Sequence, residues 1–170
     1  MLNLVVLCMT LTLFSILAVL MILFFASIPR RLPASTNLLL YLGLSIIDIN
    51  KVTILSFRFG LFRISKDIDH FLAFIIHRDI VFSLTLISFA NLYLKATSLS
   101  QRIGITAYTL LFLFGLHTSM RVFDILTYQR WGIVQELLQL SAMMAVAIVL
   151  GLIFHNMHRK DTANDEQYHL

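Results

Sequence analysis

An apolar run over residues 71–94 is interrupted by three consecutive polar residues, His77-Arg78-Asp79. The run is long enough to cross a bilayer, since a helical span needs about 20 residues. A lone charge near the middle of such a span costs roughly 2.5–3.5 kcal/mol on insertion scales. Any fold that buries this stretch must therefore give the triad partners, water, or a lost charge. Neighbouring apolar runs over residues 4–27, 37–57, 104–126 and 132–154 supply candidates. Asp48, Asn50 and Lys51 lie in one of them, His117, Arg121 and Asp124 in the next, and Gln135, Glu136 and Gln139 in the last.

Composition supports the same reading. The chain is 59% hydrophobic and 13% charged, with a mean hydropathy of +0.87. Soluble domains are roughly 45–50% apolar and about 25% charged. The fold expected is all-α: an integral membrane bundle of about five transmembrane helices, with residues 1–155 as one domain. Residues 156–170 are polar and mixed in charge, and read as a tail without fixed structure. The first run reads as a span and not as a signal peptide. It has no basic n-region, exceeds the usual h-region of 7–15 residues and lacks a small-residue cleavage site. Pro29-Arg30-Arg31-Leu32-Pro33 then stops the helix and turns the chain. The net charge of +4 does not point to nucleic acid, because the basic residues stand singly between apolar runs and form no patch. Cys8 is the one cysteine, so no internal disulfide or cysteine-based zinc site is expected.

Five spans place Arg30, Arg31, Lys95, Arg102, Arg159 and Lys160 on one membrane face. Arg58, Arg63, Lys66 and Arg130 fall on the other. The positive-inside rule then gives a cytoplasmic C-terminus and an outside N-terminus. Tyr128, Trp131, Phe59 and Phe62 are expected in the outer aromatic belt. On this topology Lys51 lies about 9 Å below the outer end of its span, at 1.5 Å per residue. Arg78, Arg121 and Glu136 fall in the same half, and the opposite halves are almost uniformly apolar. The sequence thus implies one polar layer.

Lys51, Arg78 and Arg121 face Asp48, Asp79, Asp124 and Glu136 in that layer, with His77 and His117 among them. One carboxylate lacks a counter-charge, so it is protonated or meets a cation or an imidazolium. Asp48 and Lys51 share a helix face, as do His117, Arg121 and Asp124 at i, i+4 and i+7. Such a layer is either an ion-pair network that docks the helices or a ligand, proton or ion site. No cofactor is expected; haem or a metal through His77 and His117 is the alternative, with no closed ligand set to support it. His77-Arg78-Asp79-Ile80 imitates a kinase catalytic loop. Leu84 stands where that loop needs Asn, and no Gly-rich loop or Asp-Phe-Gly accompanies it.

Several short features together carry a family resemblance. They are Ile28-Pro29-Arg30-Arg31-Leu32-Pro33 after the first span, Asp48 on the second, and Tyr128-Gln129-Arg130-Trp131 before the last. Over roughly residues 15–155 the chain resembles small, uncharacterised five-span membrane proteins of endospore-forming Gram-positive bacteria. His77-Arg78-Asp79 lies outside that pattern, and Asp124 meets its acidic position on the fourth span only loosely. The resemblance implies a bacterial plasma-membrane location and no activity. The function expected is a non-enzymatic accessory or sensing component, with the lipid bilayer and other membrane proteins or itself as partners. A small proton- or ion-coupled transport protein and a membrane enzyme acting on lipid headgroups remain open alternatives.

Overall fold

The computed structural model describes residues 2–168, and their side chains over 9–159. The elements run in order α1 (Leu2–Ser27), α2 (Ala34–Thr53), β1 (Phe62–Ile64), α3 (Ile68–Ile76), α4 (Ser83–Lys95), α5 (Leu99–Val122), β2 (Leu126–Tyr128) and α6 (Ile133–Tyr168). A π-helical turn, Ile54–Arg58, ends α2, and another, His77–Phe82, joins α3 to α4 without a break. Five helices are long and apolar enough to cross a membrane: Met9–Ser27, Ala34–Arg58, Ile68–Lys95, Leu99–Val122 and Ile133–Arg159.

Their burial is unequal. In the third, 56% of the apolar window is buried inside the protein, against 22–28% in the others. The helix carrying His77-Arg78-Asp79 is therefore the axis of the bundle. α1, α2, α5 and α6 pack around it, and α6 also contacts α2 and α5. α1 leans on α3 and the π turn. Two apolar clusters result. One, with Leu40, Leu44, Leu86, Ile87, Leu113 and Leu140, fills the half of the bundle near the 28–33 and 96–98 connections, the loop end. The other, with Phe14, Val52, Phe74, Met120 and Ile125, lies near the opposite end.

A small antiparallel sheet closes that opposite end. Phe62, Arg63 and Ile64 pair with Tyr128, Thr127 and Leu126. Gly60, at φ +60°, makes the turn into β1, a backbone region that glycine enters without a steric penalty. The links 58–70 and 128–131, expected as an interfacial loop and a tight connection, are thus hydrogen-bonded to each other. Three-residue strands are too short to display the alternating pattern that marks a strand in sequence.

Three helix boundaries also differ from expectation. α5 begins at Leu99, because the Ser98 hydroxyl caps it by accepting from the Gln101 amide at 3.2 Å. It ends at Val122, before the expected 126. Asp124 adopts φ +54°, and the Ile125 amide reaches back to the Met120 carbonyl at 3.0 Å. That is a left-handed helix stop, made here with Asp in place of the usual glycine. After His155 the chain has no proline or glycine, and α6 runs on as helix to Tyr168, where a tail without fixed structure was expected.

At the loop end one asparagine ties the first connection to the axial helix. Asn91 Oδ1 accepts from the Arg31 and Leu32 amides, each at 3.0 Å. Its Nδ2 donates to Asn37 Oδ1 at 2.7 Å, and Asn37 Nδ2 donates to the Leu32 carbonyl at 3.0 Å. Asn91 is fully buried. Asn91→Leu strands two backbone donors, each costing about 1–3 kcal/mol when left unpaired in a dry setting. The expected result is a loss of several degrees in the thermal midpoint in detergent. An unchanged midpoint would show that water replaces the side chain there.

Candidate functional site

Polar side chains from the axial helix, α2, α5 and α6 meet beneath the sheet. The π turn sets the centre. It adds a residue to one helical turn, which rotates the faces of α4 relative to those of α3. His77, Val81 and Phe82 are buried there, while Arg78 and Asp79 stay half-buried at the side. Ser83 donates to the Arg78 carbonyl at 3.3 Å, one of the groups such a turn leaves out of the usual ladder.

His77 is 3% exposed, and neither ring nitrogen has a hydrogen-bond partner among the described residues. Its ring stands edge-on to Phe14 and to His117, with centroids 5.7 and 5.4 Å away. His117, from α5, places Nδ1 2.5 Å from Glu136 Oε1. Glu136 projects from the first turn of α6, where the helix dipole favours a carboxylate. Gln135 fixes that helix start, its Oε1 accepting from the Gly132 amide at 3.0 Å. The second Glu136 oxygen accepts from Trp131 Nε1 at 2.5 Å and from the Tyr128 hydroxyl at 3.0 Å. A 4%-exposed carboxylate thus has three partners.

On α2, Lys51 Nζ lies 2.5 Å from the buried Asp48 carboxylate and 4.9 Å from the Phe82 ring centroid. The Lys51–Asp48 and His117–Glu136 approaches are close but not aligned as hydrogen bonds. Arg78 makes a two-pronged bond to Asp79, at 2.7 and 3.1 Å, and lies over Phe74.

Between these groups is a cavity of about 40 Å³, measured as room for water centres. Roughly 10–15 Å³ of such room holds one water, so the cavity takes about three. It is too small for haem or a phospholipid headgroup. Asp48, Lys51, His77, His117, Glu136 and Gln139 line it on the helix side. Phe62, Leu126, Tyr128 and Trp131 line it on the side of the sheet. Toward the loop end the Leu40–Leu86–Leu140 cluster closes it off. Among the described residues, no group of three His, Cys, Asp or Glu side chains is placed to hold a metal ion.

The layer expected from sequence is thus gathered in part. Asp48, Lys51, His77, Arg78, His117 and Glu136 surround the cavity. Asp79 pairs with Arg78 beside it. Arg121 and Asp124 lie apart: both are exposed at the end of α5, and no ion pair joins them among the described residues. The helix stops between them, so the one-turn spacing does not bring them together. Arg121 instead lies over Tyr128, 4.9 Å from its centroid. The surplus carboxylate is Asp124, exposed to the surroundings, while Glu136 finds its counterpart in His117. Tyr128 and Trp131, read from sequence as belt aromatics, are donors to the site. The available signal was their position just before an acid-bearing first helical turn.

Tyr128 lies outside the spans. Burial, and next the Glu136 carboxylate, raise its phenol well above the usual range, against a smaller pull from Arg121. The native state therefore favours the protonated phenol. That contribution is complete below about pH 10, the unfolded tyrosine value, and is lost as pH rises beyond it. Wild type should lose stability above pH 10 more steeply than Tyr128→Phe. Parallel alkaline unfolding curves would show that the phenol is hydrated.

No protein-family profile, curated protein or solved structure matches the chain.

Proposed function

We propose that this chain is a multi-pass protein of a bacterial plasma membrane that acts as a non-enzymatic accessory or sensing component, and that the cavity beneath the sheet is its proton-responsive element. The N-terminus lies outside and the C-terminus in the cytoplasm, as the bias of Lys and Arg toward the loop end favours. The observation that carries the reading is the contact between His117 and the buried Glu136 beneath the sheet, with the ring of His77 edge-on to that of His117. Histidine is the side chain that ordinarily changes charge between about pH 5 and 8. A proton gained or lost here alters the balance among Glu136, Asp48, Lys51 and the Arg78–Asp79 pair, which face the two imidazoles from α6, α2 and the axial helix.

The apolar cluster toward the loop end argues against a through-path for ions, and the cavity volume argues against headgroup chemistry. Thermal stability in detergent, scanned from pH 5 to 8, should change in wild type and flatten in His117→Gln and Glu136→Gln. Superimposable flat profiles would count against the reading. Sustained proton flux through reconstituted vesicles would replace sensing with transport. Reporter fusions after Ser27, Ser65, Ser98, Gln129 and Leu170 test the topology, and residues 65 and 170 on the same side would sink it.

A further inference from the structure

A second cavity lies at the other end of the molecule, on the flank of the bundle. α1 and α5 do not close over α4, and the groove between them has about 440 Å³ of room by the measure that gives 40 Å³ under the sheet. Leu20, Phe24, Phe89, Leu92, Ile105 and Phe112 make it apolar. It extends from Gly104 to Phe112 along α5, about 12 Å at 1.5 Å per residue. It then ends, because α1 converges on α3 and Phe14 packs into the cluster that holds Phe74 and Met120. A bilayer's hydrocarbon is about 30 Å thick, so one leaflet is about 15 Å. The groove is one leaflet tall. A partner helix needs about 20 residues across both leaflets and has no bed in the second half. A lipid tail has the right length.

The mouth of the groove is cationic. Lys95 follows Leu92 by one helical turn, and Arg102 precedes Gly104 by two residues; both are exposed. Arg102 is steadied by Tyr93, 5.5 Å from the ring centroid, and by the Ala96 carbonyl at 3.3 Å.

We propose that the α1–α4–α5 groove is a binding site for an anionic phospholipid, with one acyl chain in the groove and the phosphate held at its mouth by Lys95 and Arg102. A cation at a membrane surface contributes about 1 kcal/mol toward an anionic lipid, close to fivefold, so the pair gives about 25-fold preference over a zwitterionic lipid. The test is native mass spectrometry of the full chain in a neutral detergent, titrated with phosphatidylglycerol or with phosphatidylcholine of the same chains. Phosphatidylglycerol should be retained as one bound molecule, about 25-fold more tightly. K95Q/R102Q should erase the preference, while Arg58→Gln at the opposite end leaves it intact. Gly104→Trp should expel both lipids: Gly104 lines the groove and a Cβ there meets nothing within 4 Å, so the indole has open space to enter the groove. Equal retention of the two lipids would overturn the phosphate contact, and retention unchanged by Gly104→Trp would overturn the groove. A dimer that Gly104→Trp disperses, with no lipid adduct, would assign the groove to a second copy and overturn the proposal.

Discussion

Glu136→Leu should destabilise the protein by about 3–5 kcal/mol, the range seen when one partner of a buried charge pair is removed. The replacement fills similar space, so packing is not the cause. The loss arises because His117 loses its carboxylate contact, while Trp131 Nε1 and the Tyr128 hydroxyl lose the acceptor that both share. Glu136→Gln keeps an amide oxygen for the two aromatic donors and removes the charge alone. It should lose less, about 1–3 kcal/mol, the usual toll of an imperfectly satisfied buried group. Chemical unfolding in detergent measures both. A Glu136→Leu loss below about 1 kcal/mol, the range of exposed pairs, would mean that the carboxylate is solvated.

Lys51→Met should be nearly as severe, and worse than Asp48→Leu. The Asp48 side chain is 4% exposed and that of Lys51 18%. Removing the lysine strands a carboxylate with a short stem in a dry setting, for about 3–5 kcal/mol. Removing the aspartate leaves an ammonium on a four-carbon stem that can reach toward water. The double variant Asp48→Leu/Lys51→Met should recover much of the loss, because the desolvation of both charges vanishes with their attraction. The same cycle at Arg121 and Asp124 should be additive within about 0.5 kcal/mol, as for residues that do not touch. Strong coupling at the second pair and none at the first would invert this arrangement.

The contrast between these two pairs shows what the sequence carries. Both are three residues apart beside an apolar run, and spacing alone treats them alike. Asp48 and Lys51 lie within one helix, so the spacing becomes a contact. Between Arg121 and Asp124 the helix has ended, on a left-handed aspartate that no local pattern announces. The five apolar helices were legible because bilayer thickness fixes their length, and a polar layer because charges inside a span demand partners. The choice of partner was not. His117 and Glu136 sit on different helices, and only the packing of α5 against α6 brings them to 2.5 Å. The strands were hidden by their shortness, and with them the cover that turns Tyr128 and Trp131 toward Glu136. Asn91 was missed in the sequence: a single amide inside an apolar run does not announce the loop amides it receives.

Trp131 is the one tryptophan of the chain, and its indole donates to the carboxylate that meets His117. Its emission therefore reports the charge state of the cavity. Unilamellar vesicles with the protein inserted in one orientation allow the pH on each side to be stepped between 5 and 8 separately. A step on the side of the sheet should change the Trp131 emission, and a step on the side of the loop end should not. The response should vanish in His117→Gln. A response from the loop end, or one that survives loss of His117, would contradict a proton-responsive cavity closed toward one face of the membrane.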